Sequence, residues 1–60
     1  MINKMTFEIN GSTCTACDLN GKLKIVGDPN VSFQIRSYNF FDGTAKLKNG
    51  QTITAIEHVK

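Results

Sequence analysis

Sixty residues, 40 % of them apolar and 20 % charged, leave room for one domain (1–60) with a small core and little for a deep enclosed active site. A net charge of +2 is too weak to mark a nucleic-acid binder by itself, and the chain is not acidic enough to imitate DNA. Apolar runs stop at two residues, which excludes a membrane helix and a signal-peptide core, and two cysteines are fewer than a secreted disulfide framework uses; a cytoplasmic protein is expected, with no membrane contact.

Residue usage favours strands: six Ile, three Val, six Thr and four Phe stand against three Ala, three Leu and two Glu. Asn10-Gly11, Asn20-Gly21, Asp42-Gly43 and Asn49-Gly50 punctuate the chain about every ten residues, with Gly27-Asp28-Pro29-Asn30 between them. Such pairs supply the positive φ angles that tight hairpins need. Strands are expected near 4–10, 13–18, 22–26, 31–41, 44–48 and 51–58. The first carries Met5, Phe7 and Ile9 on one face.

Parity selects the turn types, because residues paired across a hairpin share a face. With Leu23 and Ile25 in the core, a two-residue Asn20-Gly21 turn would pair Asp18 with Leu23 and bury the carboxylate. A three-residue Leu19-Asn20-Gly21 loop is therefore expected, pairing Asp18 with Lys22 and Cys17 with Leu23. In the long segment 31–41, Val31, Phe33 and Ile35 oppose Tyr38 and Phe40 in parity, so a bulge is expected near Arg36-Ser37. A two-residue Asp42-Gly43 turn would pair Phe40 with Ala45 and Tyr38 with Leu47, leaving Phe41 outward beside Thr44. A three-residue Lys48-Asn49-Gly50 loop would pair Ala45 with Ile53. The expected core is Met5, Phe7, Ile9, Leu23, Ile25, Val31, Phe33, Ile35, Tyr38, Phe40, Ala45, Leu47 and Ile53.

A long strand that bends to serve two sheets is how a small barrel closes. The expected fold is all-β: a small antiparallel barrel of five to six strands built from short hairpins, which in general look resembles SH3-like barrels. A flat meander with a separate hairpin is the alternative, and it would need a dimer to cover its face.

Cys14-Thr15-Ala16-Cys17 is the only motif with metal or redox chemistry in it. It lacks the helix N-terminus that lowers a thiol pKa, and two cysteines with one histidine fall short of a four-ligand zinc site within one chain. On a strand, residues three apart point to opposite faces. The plain reading puts Cys17 in the core opposite Leu23 and Cys14 on the outer face; a zinc-stapled homodimer through both cysteines is the alternative. Lys22, Lys24, Lys46 and Lys48 alternate with core residues and emerge toward solvent, with Arg36 at the bend. That set is the cationic surface of a single-stranded nucleic-acid binder, or simply a solvated face that protects strand edges. His58, Glu57 and Asp42 have no recognisably placed nucleophile and neither phosphate-binding glycine motif occurs, so His58 reads as a surface residue and catalysis is not expected.

The leading expectation is a non-enzymatic protein-binding regulator without a cofactor. Its contact patch would be Phe41 with Arg36, Lys46 and Lys48. The size and the start at Met1 suit a complete bacterial or phage-encoded product acting on a larger protein, alone or as a homodimer.

Overall fold

Asn10-Gly11 and Asn20-Gly21 fold the first half of the chain into a three-stranded meander of β1 (Ile2–Ile9), β2 (Ser12–Leu19) and β3 (Lys22–Gly27). The computed structural model describes residues 2–59, and of residue 2 the backbone alone. Ile9 lies opposite Ser12 and Leu19 opposite Lys22, so both turns contain two residues. Asn20 and Gly21 have φ of 54° and 87°, the left-handed pair of a type I′ turn, whose twist matches the flanking strands. The three-residue Leu19-Asn20-Gly21 loop is thereby corrected: Asp18 pairs with Leu23 and Cys17 with Lys24. The carboxylate is not stranded, because Asp18 Oδ1 accepts the Gly21 N–H at 3.0 Å at the open end of the sheet.

The one-residue shift exchanges the two cysteines. Cys14 and Ala16 share the inner face with Met5 and Phe7 and are buried, whereas Cys17 is half-buried on the outer face between Lys4 and Lys24. At the end of β3, Gly27 lies so close to β2 that a Cβ there would sit 2.7 Å from the Thr13 carbonyl oxygen.

The first part of the expected 31–41 strand is a helix, α1 (Pro29–Gln34). Asp28 caps it by accepting the Asn30 N–H at 2.9 Å, and Pro29 occupies the first turn, where its missing N–H costs nothing. Val31 and Ile35, four residues apart, both reach the core, while Phe33 between them is 72 % exposed. That is helical spacing, masked in the sequence by the alternation of Val31, Phe33 and Ile35, which also fits a strand.

β4 (Ile35–Asn39) follows directly and carries the expected bulge: Ile35 faces Leu47 and Ser37 faces Lys46, so Arg36 is the extra residue. The next connection is longer than the two-residue Asp42-Gly43 turn. Asn39 Oδ1 accepts the N–H groups of Phe41 and Asp42 at 3.0 and 3.1 Å, and its own carbonyl accepts the Gly43 N–H at 2.9 Å. The side-chain cap stabilises a four-residue loop, 40–43, so Tyr38 pairs with Ala45 and Asn39 with Thr44. Phe40 leaves the ladder.

β5 (Thr44–Leu47) and β6 (Thr52–Thr54) meet across the three-residue loop 48–50, with Ala45 opposite Ile53 as parity requires. Segment 51–58 is not one strand. Ala55 donates to Gly43 at 2.8 Å, and then Ile56 donates to Thr6 at 2.8 Å, so the chain passes from one sheet to the other before β7 (Glu57–Val59).

The fold is all-β and antiparallel with one short helix, in two sheets ordered β3-β2-β1-β7 and β4-β5-β6. No ladder joins the two sheets among the described residues, so the expected closed barrel is replaced by two layers with an open seam. Met5, Phe7, Cys14, Val31, Ile35, Ala45 and Leu47 form the core between them, with Ile9, Tyr38, Phe40, Ile53 and Ala55 packed at its margin. Leu23, Ile25 and Phe33 are exposed, contrary to the expected core. Among the described residues no helix is long and apolar enough to cross a membrane.

Candidate functional site

The inner face of the four-stranded sheet is covered unevenly. Rows along it read Phe7–Cys14–Gly27, then Met5–Ala16–Ile25, then Asn3–Asp18–Leu23. On β1 and β2 the first two rows are buried, but along the edge strand β3 the cover runs out, most at Leu23 near the Asn20-Gly21 turn. Leu23 is 53 % exposed and Ile25 40 % exposed, although both side chains point to the core side.

Between this stretch and β4 runs an open groove of about 450 Å³. Leu23 and Ile25 form one wall, and Ile35, Tyr38 and Phe40 line the other side. Asp18 and Arg36 stand in it as the charged groups, the arginine delivered there by the β4 bulge. An apolar trough with a few polar groups is the usual anatomy of a contact surface.

Beneath the groove, Tyr38 stacks at a tilt between Phe7 and Phe40, with ring centroids 6.0 and 6.4 Å away. Its hydroxyl is buried without a well-formed hydrogen bond and lies against the Cys14 thiol. Burial, with the neighbouring thiol adding to it, pushes the Tyr38 hydroxyl up to about 12. Burial also raises the Cys14 thiol; its contact with Tyr38 opposes that rise and the charge of Asp28 adds to it. Both groups are therefore held neutral, which suits packing and not nucleophilic attack. His58, expected at the surface, is half-buried opposite Met5, with Nε2 enclosed and unpartnered. Its ring lies against Gly43, where a Cβ would fall 2.6 Å from Nδ1.

The residues of the expected contact patch are dispersed. Arg36 lines the groove. Lys48 holds its ammonium 3.8 Å over the Phe33 ring, beside a smaller hollow. Lys46 is exposed on the outer face of β5. Phe41, 84 % exposed, lies in the 40–43 loop, with the whole of β5 between it and Lys48. For the nucleic-acid alternative, Lys22 and Lys24 emerge from the outer face of the four-stranded sheet with Lys4 in the same row as Lys24. Lys46 emerges from the outer face of the opposite layer. Cys14 and Cys17 point to opposite faces of β2, so the structure does not bring the two thiols together.

Leu23 and Ile25 are the functional candidates that sequence reasoning assigned to the core. The signal was present in Asp18: a two-residue Asn-Gly turn places it beside Leu23, and a carboxylate there marks an open end of the sheet. The chain matches no protein-family model, no curated protein and no solved structure, so its role is argued from this geometry.

Proposed function

We propose that this chain is a non-enzymatic regulatory module that holds a segment of a larger protein in the groove between β3 and β4. The observation that carries the reading is the pair Leu23 and Ile25, directed inward yet half-exposed, across from Ile35, Tyr38 and Phe40. Water is displaced from apolar side chains that the fold itself leaves uncovered, at about 25 cal/mol for each Å² buried. Asp18 and Arg36 supply polar contacts of both signs. The scaffold suits this role as an open relative of SH3-like barrels: the last strand returns to the first, and the bulge at Arg36 bends β4 over the core. Nucleic-acid binding is the weaker reading, since its cations leave the molecule from opposite layers.

A photo-crosslinking side chain at position 23, compared with one at position 46, tests the groove in lysate of the source cell. The expected result is a protein adduct from position 23 that survives nuclease and is lost when Ile25→Asp charges the groove. Absence of any adduct that depends on Ile25, or an adduct to nucleic acid, overturns the reading.

A further inference from the structure

Each sheet ends in strands whose outer backbone groups are unpaired, and such edges invite another strand unless they are short, bulged or covered. β6 and β7 have three residues each, and β4 is interrupted by its bulge at Arg36. β3 differs. It is an edge strand of six residues, in unbroken register with β2 from Lys22 to Gly27.

The phase of its ladder shows which groups face outward. The type I′ turn makes Leu19 and Lys22 a hydrogen-bonded pair, and bonding then recurs at every second residue. The Asp28 N–H, six residues beyond Lys22, donates to Thr13 at 2.9 Å in the same phase. Lys22, Lys24 and Val26 thus bond inward to β2, and the N–H and C=O groups of Leu23 and Ile25 point to the free edge. These are the two residues whose side chains stand open on the groove.

Resting on the groove reading above, we infer that the occupant is an extended segment of the partner, alternating acidic and apolar residues, which adds to the free edge of β3 as a further strand. Strand addition gives affinity through main-chain hydrogen bonds and specificity through alternate side chains. Apolar residues of the incoming strand fall on the inner face beside Leu23 and Ile25. Its other residues fall on the outer face opposite Lys22 and Lys24, with Lys4 in the same row as Lys24. Acidic side chains complement that face. A second copy of this chain does not: antiparallel pairing centred on Lys24 sets lysine against lysine, which is destabilising. Pairing centred on Ile25 would set Leu23 against Gly27, the last residue of the strand, where a φ of 111° begins the turn toward α1.

The test uses a short synthetic peptide alternating glutamate and valine, its lysine–valine counterpart, and a scrambled peptide of the same composition as the first. Calorimetry should show binding of the glutamate–valine peptide alone, with slowed amide exchange at Leu23 and Ile25. Ile25→Pro removes an edge donor without removing a rung to β2, and it should abolish binding. Lys22→Glu with Lys24→Glu, both at exposed positions, should reverse the preference between the two alternating peptides by about tenfold. Equal binding of the scrambled peptide, binding without protection at Leu23 and Ile25, or an unchanged preference in the double variant overturns strand addition. So does dimerisation that the double variant abolishes. A groove adduct from position 23 combined with peptide failure would retain the groove and reject the strand.

Discussion

Cys14 and Tyr38 show how the core uses two ionisable groups as apolar ones. Both are neutral when protonated, and burial raises each above its ordinary value, 9.0 for the thiol and 10.0 for the hydroxyl. The sign of the pH dependence follows. Below pH 9 the folded and unfolded chains carry the same protons on both groups, and the stability from keeping them neutral is fully present. As pH rises further, the unfolded chain releases its protons first, so stability falls until the folded groups also titrate, near 12 for Tyr38. Thermal unfolding followed from about pH 8 to about pH 11 should show a melting temperature that declines above about 9. Tyr38→Phe removes the part of the decline that begins near pH 10 and should make the slope above it shallower. Equal slopes in the two proteins would show that Tyr38 ionises as freely in the fold as out of it.

At the scale of elements, the turns were legible wherever local chemistry acted alone. Lys48-Asn49-Gly50 gives the three-residue loop and the Ala45–Ile53 pair that parity demands, and the parity conflict in 31–41 locates the bulge at Arg36. The three-residue loop expected at Leu19-Asn20-Gly21 rests on the assumption that Leu23 and Ile25 are buried; both are exposed, and the local preference of Asn-Gly for a type I′ turn prevails. The same assumption exchanged Cys14 and Cys17. Helix α1 is hidden differently: the alternation of Val31, Phe33 and Ile35 reads as the face of a strand, and only the Asp28-Pro29 start and the Val31–Ile35 spacing reveal it. The cap therefore has much to do in a helix of six residues, and Asp28→Ala should cost about 1 kcal/mol. Denaturant unfolding would measure it, with Asp28→Asn retaining most of the stability. A cost near zero for the alanine variant would mean that packing of Val31 alone holds the helix.

Across the whole molecule, the uneven cover of the larger sheet separates residues that fold the chain from residues that the groove needs. The two kinds share one inner face, buried on β1 and β2 and uncovered on β3, and they look alike in the sequence, which is why the groove was not legible before the layers were. A chain this small has a total stability of roughly 3–9 kcal/mol. Phe7 is fully buried against Tyr38, and Phe7→Ala should cost about 3–5 kcal/mol, leaving much of the protein unfolded. Leu23→Ser and Ile25→Ser remove side chains that water already reaches, and each should cost about 1 kcal/mol or less. An occupied groove changes that ranking, because a ligand present at about 100 times its Kd stabilises the fold by about 2.7 kcal/mol. With the glutamate–valine peptide present, the wild-type melting temperature should therefore rise while those of the two serine variants stay behind. If Ile25→Ser were instead as destabilising as Phe7→Ala in the free protein, Ile25 would belong to the core and the groove would not be a vacant surface.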